Sequence, residues 1–330
     1  MVLLALSACN LPLRVNLFTR ASPTPSPTLA PAAPTSTQAA PPGSKENPLV
    51  VALSPSTNPQ SKTLDAGEVL TSLLKKQTGY EFAAVIPSSE IELIEAFRAG
   101  NAHIASLSPF GYVLASDEGT AQAAFAREQD GAIFYGAEII APEKLDYITY
   151  FDPVENANLA DAATALRQFT DKKPCWTDTL SPSGYVVPLG TLRKAGVATR
   201  EPAFLASHPA VVRALYAGGI CDFGGTYVGA ILYPGLEDEL PGVTDEIDVI
   251  WRIPPIIPYE TLAFSSRLPV EMRRLLTRTF VDLMQTPEGR SAIQTLYGFS
   301  AMQVVNDGQY AEFRSIVEAS GLDLVDLVAR

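Results

Sequence analysis

Histidine and cysteine are nearly missing from this chain, with two of the first and three of the second in 330 residues. No C-x-x-C pair occurs, which argues against a zinc centre. Positive charge is also short. Twenty-four Lys and Arg face 36 Asp and Glu, a net charge of −12, so a nucleic-acid partner is not expected. A local anion site remains open, because backbone amides and hydroxyls bind anions without net positive charge. After Cys9 no stretch approaches the roughly 18 uncharged apolar residues of a membrane span. A Walker A motif, a dinucleotide fingerprint and a G-x-S-x-G elbow are all absent, and no cofactor is implied.

What is present begins at the first residues. Leu6-Ser7-Ala8-Cys9 has the form of a lipobox: an apolar residue, two small residues, then a cysteine whose thiol would take diacylglycerol. A complete signal has a basic n-region and about 7–15 apolar residues. Here eight residues precede Cys9 and none is basic, so the true start is expected upstream. Residues 10–47 read as a disordered tether, since nine prolines run from Pro12 to Pro48 among Ser, Thr and Ala. Such a segment cannot bury enough apolar area to offset its ordering entropy. Together these features predict an extracytoplasmic protein held to the cell membrane by a lipid on Cys9 alone. The two remaining cysteines, Cys175 and Cys221, read as a disulfide in an exported chain, or else as two buried thiols.

Residues 48–330 alternate short apolar runs with amphipathic stretches. Strands are expected at 49–53, 81–86 and 103–107, with helices at 65–78, from the Ser89 cap to Ala99, and from Pro109. Extended connections at 133–140 and 147–151 follow. Next come helices at 159–169, 184–195 and 209–217, and strands at 174–177, 203–206 and 220–223. A helical piece is read from Tyr227 to Leu232, return strands at 249–251 and 261–264, and helices at 269–285, 287–296 and 307–318. This is an α/β pattern of two lobes, each a mainly parallel sheet flanked by helices. Lobe one takes 48–145 and 250–330, and lobe two takes 146–249. Two extended hinge crossings, near 141–150 and 245–258, join them. Ligands of open α/β sheets bind beyond the carboxyl ends of strands, which places a shared cleft between the lobes.

Several segments carry a resemblance. Ala102-His-Ile-Ala-Ser-Leu-Ser-Pro-Phe-Gly-Tyr112 resembles the D-I-A-x-x-G-P-x-x-Y segment of the phosphonate/phosphite/phosphate-binding subunits of ABC importers. Ser181-Pro-Ser-Gly-Tyr185 with Pro188 is similar to that family's S-T-S-G-Y-x-x-P. Ser207-His208 with Gly219-Ile-Cys-Asp222, then Ile257-Pro258 and Tyr310, match further segments in order. The resemblance implies a type 2 periplasmic-binding-protein-like fold, a small anionic ligand in the cleft, a membrane permease as partner, and a monomer. It also implies a binding role rather than an enzymatic one.

The ligand set it implies is Tyr112 on lobe one, with Ser181, Ser183, Gly184 and His208 on lobe two. Ser181 and Ser183 would offer hydroxyls at a helix N-terminus, and Gly184 would let the backbone approach an oxygen. The bland alternatives are a plain Ser cap, a histidine capping its own helix, and a core tyrosine. Ser54, after the first strand, and Ser89 with Glu90, opening a helix of lobe one, should also reach the cleft. Asp222 is read as a supporting residue, whereas His103 is read as structural. Pro182 replaces the family threonine and removes a hydroxyl and an amide donor. No acidic residue follows Asp222 until Glu237, which weakens an aminophosphonate reading. In this layout Cys175 and Cys221 fall on neighbouring lobe-two strands, and a bond between them is expected. A Ser181–His208–Asp222 triad is the enzymatic alternative, and a sensor on the same fold is another.

Overall fold

The structure, a computed structural model, describes residues 40–53 and 60–329, so Cys9 and Ser54 lie outside the described residues. No helix among the described residues is long and apolar enough to cross a membrane.

The chain first lays down β1 (Leu49–Ala52), α1 (Gln60–Thr78), β2 (Phe82–Val85), α2 (Glu90–Ala99), β3 (Ile104–Leu107), α3 (Pro109–Asp117) and β4 (Ala121–Arg127). The ends of α2 and the start of α3 have local causes. Ser89 caps α2 by accepting the Glu92 N–H, and Gly100 ends it in the left-handed region at φ 80°. Ser108 caps α3, whose first residue is Pro109, a position where a missing N–H costs nothing.

A second series follows: β5 (Phe134–Pro142), a small ribbon of β6 (Phe151–Asp152) and β7 (Ala157–Asn158), α4 (Ala162–Leu166), β8 (Pro174–Trp176), α5 (Val187–Lys194), β9 (Ala203–Phe204), α6 (His208–Ala217), β10 (Phe223–Tyr227), α7 (Leu236–Glu239), α8 (Val243–Glu246) and β11 (Ile247–Pro258). The chain then returns through β12 (Thr261–Ser265), α9 (Val270–Met284), α10 (Pro287–Tyr297), β13 (Met302–Val304), α11 (Ala311–Ala319) and α12 (Leu324–Val328).

Two sheets result, in the orders β13-β4-β12-β3-β1-β2 and β11-β5-β10-β8-β9. They are mixed rather than mainly parallel. In the first, β2, β1 and β3 run parallel, but β12 and β4 are antiparallel to their neighbours. In the second, β8–β9 and β8–β10 are parallel, whereas β5 is antiparallel to β10 and β11. Strands that arrive from the other sheet enter reversed, and the sequence alternation of strand and helix does not show this.

The chain changes sheets at 128–133 and at 259–260, not near 141–150 and 245–258. Residues 134–142 and 247–258 are long apolar strands, and they pair with each other inside the second sheet. At the crossings the two ribbons lie side by side. The Arg127 N–H donates to the Glu260 carbonyl at 2.8 Å, and the Tyr259 N–H to that of Ile133 at 3.2 Å.

Three smaller expectations also shift. The tether ends before residue 47, because Gly43 is buried against the Tyr80 ring and its carbonyl accepts the Glu81 N–H at 2.9 Å. Phe223–Tyr227 is a strand, in place of a strand at 220–223 and a helix opening at Tyr227. The alanine-rich β4 has weak intrinsic strand preference and is held by β12 and β13 on either side.

One apolar core fills the space under the first sheet, around Leu70, Phe125, Phe264 and Phe280. A second, under β8 and β10, contains Val211, Leu215 and Cys175. A third runs between the two sheets, joining Phe97 and Tyr112 to Trp176, Phe223 and Phe313.

Candidate functional site

Three loops that follow strands open onto one cavity of about 590 Å³. Ser88, Ser89 and Glu90 come after β2, Ser108 to Phe110 after β3, and Leu180 and Pro182 after β8. The first two loops belong to the first sheet and the third to the second. Each loop leads into a helical turn, and serine hydroxyls stand at all three starts. Side chains already hold the Glu92, Ser108, Gly111 and Gly184 amides, so the hydroxyls are the groups left to meet a ligand.

The side chains around it are mostly acidic or neutral. Glu90 holds the Ser108 N–H through Oε1 at 2.5 Å, and its carboxylate fills the space that a Cβ on Gly111 would need. Burial pushes the Glu90 carboxyl above its ordinary range. The Ser108 hydrogen bonds oppose this, and the nearby Glu260 charge adds to it. Glu260 is itself paired with Arg127 at 3.0 Å. Arg127 also donates to Gln129 and stands over the Tyr259 ring, while its Nε is buried without a partner.

Tyr259 stacks on Tyr135 at 5.0 Å between ring centres. Burial pushes the Tyr135 phenol up to about 12, and the adjacent Ser183 hydroxyl pulls the other way. Arg127, Glu260, Tyr259, Tyr135 and Ser183 therefore gather at the crossings, within electrostatic reach of Glu90.

The Ser181–Tyr185 segment is more occupied than its sequence suggests. A π turn covers Pro182–Val186, and Ser181 Oγ accepts the Gly184 N–H at 3.0 Å. That amide is spoken for. A Cβ on Gly184 would run into Thr177, which is by itself a reason for glycine there. Ser183 is buried. Leu180 and Pro182 of this segment line the cavity, whereas Ser181, Ser183 and Gly184 flank Pro182 in the chain without lining it.

Other expected residues lie elsewhere. Tyr112 is wholly buried, tilted against Tyr310, and its hydroxyl donates to Asp307 at 2.8 Å and accepts the Ala123 N–H. It is a core tyrosine on the buried face of α3 and does not line the cavity, because the helical turn points it inward. Asp222 accepts the Lys173 N–H at 2.6 Å at the entry of β8 and β10. The Ser181 loop follows their exit, so Asp222 supports the wrong end of the strands to act on it. His103 accepts the Val50 N–H within the first sheet.

His208 starts α6, accepts the Tyr227 N–H on Nδ1 at 3.3 Å and meets the Tyr227 ring edge-on. A Ser181–His208–Asp222 relay is thus not assembled. Cys175 and Cys221 are joined in a disulfide with Cα atoms 5.6 Å apart.

Burial lowers His208 to about 4, against a weaker opposite pull from Asp178. A histidine with a depressed folded pKa is fully accommodated above its unfolded value of about 6.5. It withdraws stability as pH falls from there toward 4. Protonation would also break the Nδ1 bond. Since the ring is partly exposed, a discounted loss of roughly 2 kcal/mol is expected. Urea titrations of the wild type and His208→Gln at pH 7 and pH 4.5 check this. The variant should lose less stability than the wild type over that interval.

Ser108, Tyr135, Tyr259, Arg127 and Glu260 were not singled out from sequence. Ser108-Pro109 was visible as a helix start after a strand, which was signal enough for Ser108. The other four become neighbours only where the two crossings run side by side.

A larger cavity of about 670 Å³ lies beside β11 and α4, α5 and α11. Arg252, its cation on the sheet side, is already paired with Glu138 and Asn156 over the Phe151 ring.

Known proteins share this architecture. The family described as the periplasmic substrate-binding protein of phosphonate ABC transporters matches residues 51–310. The phosphate-import protein PhnD of Mycolicibacterium smegmatis is 30% identical over 168 residues, 47% of either chain. This chain thus spans about half the length of that curated relative. Among solved structures, XAC2383 from Xanthomonas citri bound to ATP shares 13% identity over 85% of this chain and 98% of its own, at a TM-score of 0.58. PhnD1 from Prochlorococcus marinus in complex with methylphosphonate shares 15% over 82% and 97%, at a TM-score of 0.48. The first of these likenesses speaks for the fold alone. With the family match extending over most of the described residues, this chain belongs to the periplasmic substrate-binding proteins of the phosphonate ABC transporter family, a family of binding components rather than enzymes.

Proposed function

We propose that this protein captures a small oxyanion (phosphate, phosphite or a simple phosphonate) in the cavity between its two sheets and hands it to an ABC permease. The observation that carries this reading is the convergence of three post-strand loops, each opening a helix, on one cavity. The Ser89 and Ser108 hydroxyls line the cavity and would meet the anion, with the Ser181 and Ser183 hydroxyls in the adjoining turn. His208 would contribute only if closure brings the α6 start toward the cavity.

The lipobox at Cys9 and the proline-rich segment after it support a lipid tether to the outer face of the cell membrane. The Mycolicibacterium relative, named for phosphate import, supports the cargo class.

The reading is tested by thermal-shift screening with phosphate, phosphite, methylphosphonate and sulfate, because a ligand that binds only the native state raises its stability. Calorimetry then compares two cap variants. Ser108→Ala is expected to weaken phosphate binding about tenfold, by loss of a polar group at the site. Ser207→Ala, which removes the equivalent cap from α6, is expected to leave it unchanged. Equal affinities in both variants would remove this cavity from consideration.

A further inference from the structure

The strand-end loops do not close the cavity alone. Its remaining wall is Leu327, Val328 and Ala329, from α12 and the residue after it. The route of the chain explains how they arrive there. Asp307 ties the chain to α3 through Tyr112 and Ser116. Then α11 crosses to the second sheet and lies on α5, so closely that a Cβ on Gly190 would collide with the Ile316 carbonyl. Arg193 holds the Ser320 carbonyl, and Lys194 donates to Ser315. After Gly321, at φ 63°, the chain turns and α12 packs back onto α3 and α2.

The wall that α12 supplies is apolar. Leu327 and Val328 are 8% and 7% exposed, and across from the serine loops they join Leu180 and Pro182. The volume is also telling. Cavities of roughly 300–1,000 Å³ hold drug-sized ligands, far more than a bare tetrahedral anion fills.

We propose that α12 is the specificity-determining wall of the cavity. Leu327 and Val328 meet an apolar substituent carried by the oxyanion and set the largest one admitted. This rests on the oxyanion reading and narrows it to organic oxyanions with a short apolar arm.

Calorimetry on the full chain with phosphate, methylphosphonate, propylphosphonate and phenylphosphonate tests it. Leu327→Ala should weaken propylphosphonate about tenfold, the scale of a few apolar contacts, and leave phosphate within about twofold. Val328→Phe should weaken phenylphosphonate about tenfold or more by filling its space, again sparing phosphate. Val325→Phe, on the exposed face of the same helix, should change nothing.

If the wild type binds the series but the order of affinities is the same in both wall variants, α12 does not select and the proposal falls, with the oxyanion reading intact. An effect of Val325→Phe as large as that of Val328→Phe would also overturn it, by showing a general disturbance of the helix. A wild type that binds none of the four overturns both readings.

Discussion

Glu90→Gln is expected to bind phosphate about tenfold more tightly than the wild type at pH 7, the affinity equivalent of about 1.4 kcal/mol. The reason is electrostatic. The wild-type carboxylate lines the cavity and already occupies the Ser108 amide at the start of α3, where an anion would otherwise be favoured. Two unit charges 5 Å apart at an effective dielectric near 20 repel by about 3 kcal/mol, so tenfold is a modest claim. A glutamine keeps an acceptor for the Ser108 N–H and removes the charge.

The pH dependence gives a second readout. Burial holds the Glu90 carboxyl above its ordinary range, so it takes up a proton before an exposed glutamate would. Wild-type affinity should therefore rise as pH falls through that elevated value, and the Glu90→Gln variant should lack that component. The stability sign is the same. A carboxyl whose folded pKa is raised stabilises fully below its unfolded value and loses that contribution as pH rises through the folded one. The ligand-free variant should accordingly be the more stable protein at pH 7. Calorimetric titrations from pH 5.5 to 8 measure the first effect and urea unfolding the second. Weaker binding by Glu90→Gln would contradict the repulsion argument. It would mean that the carboxylate receives a hydrogen bond or an ammonium from the ligand.

Replacing both Cys175 and Cys221 by alanine is expected to cost about 4 kcal/mol of stability. The disulfide spans 46 positions of sequence. In the chain-entropy picture, freeing a loop of that size from the unfolded ensemble gives about 4 kcal/mol. Two buried sulfur positions would also be left underfilled. For a domain this large, the melting temperature should fall by roughly 7 °C.

Phosphate affinity should nevertheless stay near the wild-type value. The bond joins β8 to Cys221, two residues before β10, near the entry of these parallel strands, while the cavity lies past their exit. Denaturant unfolding and calorimetry on the same preparation separate the two outcomes. A stability loss under about 1 kcal/mol would show that the unfolded chain is already constrained. Loss of binding with little loss of stability would show that the bond shapes the cavity.

What the sequence determined by itself was local. Ser89 and Ser108 mark helix starts because a short hydroxyl side chain can hold a free N–H, and Gly100 marks an end because only glycine enters the left-handed region at no cost. The order of strands and helices in residues 49–117 followed from such signals, while the family was legible as a resemblance carried by ordered short segments. The pairing of Cys175 with Cys221 also came from the strand layout.

Only the tertiary structure decided strand direction, the points of crossing and the membership of the site. Direction in a sheet depends on where a strand comes from, and β5 and β12 come from the other sheet. Tyr112 and Asp222 sit in segments that resemble ligand loops, but helix rotation turns one into the core and strand direction leaves the other at the far end. Arg127, Tyr135, Tyr259 and Glu260 are up to 133 residues apart and meet at the crossings. Leu327 and Val328, almost at the end of the chain, reach the cavity because α11 and α12 traverse both sheets. Capping and turn chemistry act over three or four residues and can be read along a chain. A cavity is assembled from residues whose only relation is packing, and packing is settled when the whole chain folds.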